Sequence, residues 1–260
     1  MSLALPKATV RRQVRMPLRF ADGYTTVARM VTFDGLVDGL EHVALGLGGY
    51  AEPPSQNALP PTEPLVRLHS ECLTGDVFGS QRCDCGAQLR EGVERIAEAG
   101  GYLLYLRQEG RGIGLYSKLD AYLLQDGGLD TYEANLALGH RADERDYTVA
   151  AQILKALELP SVALLSNNPD KAAQLTRLGI TVAAHVPTRV HLSAANAGYL
   201  ATKAGRGAHT LQITHSDRRT RSVGAEEESN DQSQPAERQR SDRSAGFTPR
   251  TSRRHRALGS

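Results

Sequence analysis

The sequence predicts an α/β fold: a mixed sheet flanked by helices, with an N-terminal antiparallel β meander and a disordered C-terminal tail. Three observations predict it. β-branched and apolar runs between glycine turns fill the first sixty residues, which is strand chemistry. Strand, turn, helix and strand alternate between Tyr102 and Ala184, which calls for a sheet that is at least partly parallel. At His215 the composition turns to Arg, Ser and Glu with only scattered Val, Phe and Leu, too little to bury a core. The chain therefore divides into a β-rich part ending in a loop (1–64), a core (65–214) and a tail (215–260).

The elements follow in order. Val10–Phe20, Thr25–Phe33 and Glu41–Leu47 read as the strands of the meander. Ala51–Pro64 holds five prolines and reads as a loop. Leu65–Leu68 is a short strand. Gln88–Glu98 has helical spacing, with Leu89, Val93 and Ile96 on one face, and the Gly100-Gly101 pair ends it. Tyr102–Leu106 is evenly apolar, as a strand buried on both faces would be. Leu115–Gln125 reads as a helix, and another follows residue 148. Val162–Leu165 is a strand, and a helix capped by Asn168, with Pro169 first, runs toward Gly179. Ile180–Ala184 is the next strand.

All three cysteines, Cys72, Cys83 and Cys85, lie within fourteen positions as C-x10-C-x-C. Thiolates are soft ligands that suit zinc, which takes four ligands in a tetrahedron. Three protein ligands leave one position for water, the pattern of a catalytic site, and zinc lowers the pKa of that water to about 7. A closed Cys3His site with His69 as fourth ligand is the rival arrangement. His69 and Glu71 also form the H-x-E pair of zinc nucleobase deaminases, but that pattern needs P-C-x-x-C as partner, and here the partner is C-D-C.

Three turns carry further chemistry. In R-Q-E-G-R-G-I-G, residues 107–114, the glycines let the backbone approach a ligand. The Glu109 carboxylate can accept from the adjacent N1 and N2 donors of guanine, and Arg111 can hold a phosphate through two bonds. In S-N-N-P-D-K the N-terminus of the following helix favours phosphate, with Ser166 adding a hydroxyl and Lys171 a charge. In A-D-E-R-D-Y-T, residues 142–148, Asp143 and Arg145 are two apart, so in an extended segment both point the same way.

Bulk properties narrow the classes. The formal net charge of +2 on 260 residues creates no global field for nucleic acid. No apolar stretch is long enough to span a membrane, and the N-terminus does not read as a signal peptide. Clustered cysteines in such a chain fit a reducing, cytoplasmic setting. The arginines of the tail are the exception that could touch RNA or an acidic partner, although a solvated tail is the expectation.

From Arg67 to about Gly207 the chain closely resembles GTP cyclohydrolase II, the enzyme that opens the guanine ring of GTP at the start of riboflavin synthesis. The resemblance rests on V-R-L-H-S-E-C-L-T-G-D, R-C-D-C-G, R-Q-E-G-R-G-I-G-L, D-T-Y-E-A-N, A-D-E-R-D-Y and N-N-P-D-K, in that order. It implies that Cys72, Cys83 and Cys85 bind zinc, and that Arg67, Leu68, His69, Ser70 and Glu71 form a GTP-binding segment. Gln88, Glu109, Gly110, Arg111, Thr131, Ser166 and Lys171 match further nucleotide contacts. Position 166 is usually threonine in the family; serine keeps the hydroxyl. Asp143 matches the assigned proton acceptor, Arg145 the assigned nucleophile toward the α-phosphorus, and Tyr122 a tyrosine used to finish the reaction. The resemblance also implies Mg2+ on the triphosphate, release of formate and pyrophosphate, and a homodimer. Two alternatives stay open: a paralogue that stops at the formyl-retaining intermediate, and a non-enzymatic nucleotide- or RNA-binding module with structural zinc.

Overall fold

The computed structural model describes residues 5–53, 63–141 and 143–193. Most of the proline-rich loop expected at Ala51–Pro64, and the tail expected to be disordered, lie outside the described residues. The strands β1 (Thr9–Arg19), β2 (Thr25–Asp34) and β3 (Val43–Leu47) form the expected antiparallel meander. β3 then pairs antiparallel with β5 (Gly101–Leu106), so the meander continues into the core sheet. β4 (Leu65–Ser70), β6 (Ser161–Leu165) and β7 (Thr181–Val186) complete it with parallel pairings, in the order β1-β2-β3-β5-β4-β6-β7.

β4 is two residues longer than its apolar run suggests, because His69 and Ser70 stay paired with Tyr105 and Leu106 of β5. The Gly100-Gly101 pair does more than stop a helix. A Cβ at Gly101 would lie 2.0 Å from the Leu65 carbonyl oxygen, so only glycine lets β5 start against β4.

Six α-helices occur among the described residues: α1 (Leu73–Asp76), α2 (Cys85–Ala99), α3 (Leu115–Asp126), α4 (Thr131–Ala137), α5 (Thr148–Ala156) and α6 (Pro169–Arg177). α2 covers one face of the sheet, with Val93 and Ile96 against Leu47, Leu65, Leu103 and Leu165. α5 and α6 cover the other, with Ile153, Leu154 and Leu175 against Val66, Leu68, Leu104 and Leu164. Each such side chain contributes about 1.5–3 kcal/mol on burial. This double cover explains why β5 is evenly apolar. Sequence periodicity did not reveal α1 and α4, of four and seven residues, which are too short to show a period. α4 nonetheless carries a readable start: Asp130 accepts from the Tyr132 and Glu133 amides, and Glu133 accepts in return from the Asp130 amide.

Beyond β7 the chain is tied back to α2 through Glu91, which is 4% exposed. Its carboxylate accepts from the Arg189 amide at 3.0 Å, from His191 Nε2 at 2.9 Å and from Arg95 at 3.0 Å. Burial alone would raise its pKa, but the bonds from His191, Arg189 and Arg95 outweigh burial and push it down to about 2. A depressed carboxylate stabilises the fold above its ordinary value near 4.5 and loses that contribution as pH falls through about 2. Glu91→Gln is therefore expected to lower stability at pH 7 by up to about 3 kcal/mol. The gap to wild type should shrink between pH 4.5 and 2, as urea unfolding at a series of pH values would show. A gap constant over that range would rule the anchor out.

Candidate active site

The carboxyl ends of β4, β5 and β6 open on one side of the sheet, where ligands of α/β sheets bind. The segments leaving these strands, Glu71–Cys72, Gln108–Ile113 and Ser166–Asn168, line a single cleft. Of the residues singled out in the sequence, Arg67 through Cys72, Cys83, Cys85, Gln88, Glu109, Gly110, Arg111, Thr131, Arg145, Ser166 and Lys171 line it. Asp143 does not, but it is bonded to Arg145, which does.

Cys72, Cys83 and Cys85 come together because α1 folds the chain back and α2 starts at Cys85. Their sulfurs lie within 4.8 Å of one another, and Cys72 Sγ is 3.7 Å from Cys83 Sγ. Gly75 keeps the space clear, since a Cβ there would lie 2.8 Å from Cys83 Sγ and 3.2 Å from Cys72 Sγ. Hydrogen bonds from Cys83 and Cys85, with the charge of Lys118, hold the Cys72 thiol far below its ordinary pKa. The bond with Cys72 raises Cys83 to about 11, and the bonds of Cys85 with Cys72 and Cys83 push Cys85 up. A soft donor set this close, already favouring one thiolate, fits a zinc ion.

His69 is not part of the cluster, which corrects the Cys3His alternative. Its Nε2 faces Asp76 at 3.0 Å, and its ring stacks on Tyr105 at 5.5 Å. Asp76 also accepts from the Tyr105 hydroxyl at 2.9 Å and the Cys72 amide at 3.0 Å. Burial keeps the imidazole below its ordinary pKa against the pull of Asp76, so a neutral ring donating from Nε2 fits the contacts. Glu71, the other half of the H-x-E pair, is bound to Arg107 at 2.8 Å.

The turn after β5 is tightly constrained. Gly110 and Arg111 both adopt left-handed backbone, with φ of 61° and 62°. For arginine that conformation costs of order 1–3 kcal/mol, a strain that concentrates at functional sites. Glu109 is buried, and its carboxylate accepts from the Leu73 amide at 2.6 Å, the Gly110 amide at 2.9 Å and Lys118 at 2.8 Å. A carboxylate has about four acceptor positions, so one remains, on Oε2. The two-point contact with guanine expected from the sequence would have to displace one of these partners.

The cations reach the cleft from different elements. Arg67 on β4 is 5% exposed and donates to Gln88 on α2 at 2.7 Å. Gly92 makes room for it, because a Cβ there would meet Arg67 Cδ at 2.6 Å. Lys171 on α6 donates to the Leu68 carbonyl at 2.7 Å. Arg111 lies over the Tyr132 ring at 4.8 Å. Arg145 donates through Nε to Asp143 at 2.8 Å and through Nη2 to its other oxygen. Burial alone would raise the Asp143 pKa, but the Arg145 bonds lower it. Ser166 Oγ accepts from the Asn168 amide at 3.0 Å, and Asn168 caps α6 through the Asp170 amide at 2.9 Å.

A family model described as GTP cyclohydrolase II matches residues 11–187. The chain belongs to the GTP cyclohydrolase II family. It is 49% identical over 186 residues to the GTP cyclohydrolase-2 of Vibrio parahaemolyticus, covering 72% of this chain and 90% of that one. It is 47% identical over 201 residues to the GTP cyclohydrolase-2 of Aliivibrio fischeri, covering 77% and 97%. Riboflavin biosynthesis protein RibBA of Phocaeicola vulgatus is 47% identical over 187 residues, which cover 71% of this chain and 44% of that protein. The chain is thus an enzyme of the GTP cyclohydrolase II type.

Some cleft residues of this family member were not singled out in the sequence. Lys118, Ala121, Tyr122 and Gln125 of α3 line the cleft, and of these only Tyr122 was expected there, from the resemblance. Their i, i+3, i+4, i+7 spacing marks one helix face, a signal hidden because a mixed Lys-Ala-Tyr-Gln face reads as solvent-facing. Gln108 also lines the cleft and was missed; it is held by its bond to the Asp146 carbonyl at 2.6 Å. Asp76, the partner of His69, was missed as well, because it sits on α1, which has no sequence period.

Proposed function

We propose that this enzyme hydrolyses GTP, opening the imidazole ring and releasing formate and pyrophosphate. The product is 2,5-diamino-6-(5-phosphoribosylamino)pyrimidin-4(3H)-one, and the step begins riboflavin biosynthesis. The observation that carries the reading is a single cleft lined by both the three-thiol cluster and Arg67, Arg111, Arg145 and Lys171. Names of relatives support the substrate and pathway.

Cys72, Cys83 and Cys85 would hold zinc, which supplies a Lewis acid and a water nucleophile at neutral pH for attack at C8. Glu109, its plane set by Leu73, Gly110 and Lys118, offers one acceptor to the guanine edge. Thr131, Gln88 and the segment Arg67–Glu71 frame the nucleotide. Ser166, Lys171 and the N-terminus of α6 take phosphate oxygens. Arg111 and Arg145 stabilise the charge that develops as pyrophosphate leaves, with Mg2+ on the triphosphate. Tyr122 stands beside Lys118, whose Nζ is 5.7 Å from its ring, and is assigned to the second hydrolysis.

The test is an incubation of zinc-loaded protein with GTP and Mg2+, with formate and pyrophosphate measured together. Equal amounts support the proposal. Pyrophosphate without formate would replace it with the formyl-retaining reaction, and neither product would leave a binding module.

The family resemblance implies a homodimer, and we propose that one face of α3 makes the contact with the second copy of the chain. Tyr116, Leu119 and Leu123 form an apolar stripe on this helix, with Tyr116 82% and Leu123 71% exposed. A stripe of this kind supports an interface. Leu123→Glu is expected to convert a dimer to a monomer in light scattering; an unchanged dimer mass would move the interface elsewhere. No helix among the described residues is long and apolar enough to cross a membrane.

A further inference from the structure

We propose that Lys118 is a positioning residue that offsets the charge of the three-thiolate cluster and locks the cluster to the Glu109 turn. The inference rests on the reading that Cys72, Cys83 and Cys85 hold zinc, and it assigns a task to a residue of α3 that contributes no metal ligand.

The geometry is specific. The Lys118 ammonium donates to Cys72 Sγ at 3.2 Å, to Thr74 Oγ1 at 2.9 Å and to Glu109 Oε1 at 2.8 Å. An ammonium has three protons, so these bonds use all of them. The side chain is 10% exposed, and Gly110 packs against its stem, where an added Cβ would meet Lys118 Cβ at 3.0 Å. Three elements thus meet on one charge: the Cys72–Thr74 segment leaving β4, the turn after β5, and α3.

The physical need follows from charge. Three thiolates around a divalent ion carry one net negative charge, and a buried charge is costly unless it is paired. A cation bonded to one sulfur supplies the pair. It also draws electron density from that sulfur, so the thiolate donates less and the metal stays a stronger Lewis acid. Outer partners of metal ligands change metal affinity by about 10–100-fold when removed. Glu109 needs the same cation, because its buried carboxylate would otherwise face only two amides.

The experiment compares wild type, Lys118→Met and Lys118→Arg. Zinc affinity is read by chelator competition, and the sulfur-to-metal charge-transfer band is read in the cobalt(II)-substituted proteins. Lys118→Met is expected to bind zinc about 10–100-fold more weakly, with the band moved to longer wavelength. Lys118→Arg should recover most of the affinity. A merely structural role would not move the band. Wild-type affinity and an unshifted band in Lys118→Met would overturn the inference. If Lys118→Met does not fold, Lys118→Gln carries the test, since it keeps two donors without the charge. It should bind zinc about 10-fold more weakly, and wild-type affinity there would overturn the inference equally. A wild-type protein that takes up neither ion would overturn the zinc reading and this inference together, whereas normal uptake with an indifferent Lys118→Met overturns this inference alone.

Discussion

Cys83→Ser is expected to stay folded, to lose zinc, and to release no measurable formate from GTP. Serine removes one soft ligand and leaves a hydroxyl that does not ionise near neutral pH. Loss of an outer partner alone weakens metal binding by about 10–100-fold, so loss of a direct ligand should exceed about 100-fold. The position is suited to the test, because Cys83 is only partly buried and sits outside the two hydrophobic clusters of the core. Arg67, Arg111, Arg145 and Lys171 are untouched by the change, so some pyrophosphate release should survive. Zinc content, formate and pyrophosphate measured on one preparation separate these effects. Formate released at the wild-type rate by zinc-free Cys83→Ser would sink the proposed role of the cluster.

Arg145→Ala is expected to lower pyrophosphate release by about 10³-fold, the scale of an arginine that stabilises a phosphoryl transition state. The geometry bears on how Arg145 works. As a nucleophile it must first lose a proton, and the group bonded to it is Asp143. Guanidinium and carboxylate differ by more than about eight pKa units, so that transfer costs roughly 11 kcal/mol. The Arg145 bonds lower Asp143 further, which makes it a still weaker base. The pair is better suited to holding a charged guanidinium against the phosphoryl oxygens, with Asp143 as the group that orients it. On this reading Arg145→Lys keeps part of the activity, and mass spectrometry of quenched wild-type enzyme finds no guanidylyl adduct. A trapped adduct on Arg145 would instead establish the nucleophile.

Much of this protein was legible before folding because its signals are local. The helix at Pro169 starts where Asn168 can cap it and proline fits the first turn, which depends on four consecutive residues. The apolar run at Tyr102 and the glycine pair before it likewise placed β5. The three-cysteine spacing was enough to suggest a metal site, since ligand type and number are properties of composition. Element ends were less legible. β4 runs on to Ser70 because β5 lies beside it, and α2 begins at Cys85 because the cluster turns the chain there.

What the sequence by itself determined was therefore the order of the longer elements, the family motifs and the identity of the three clustered thiols. Only the tertiary structure decided which partner each polar group takes. It turned His69 toward Asp76 and away from the cluster, filled most of the acceptor positions of Glu109, and buried Lys118 between them. The physical reason is that a backbone pattern records neighbours along the chain. A buried charge takes its partners from the segment leaving β4, the turn after β5 and α3, separated by 9 to 46 residues along the chain and brought into contact by the folded sheet.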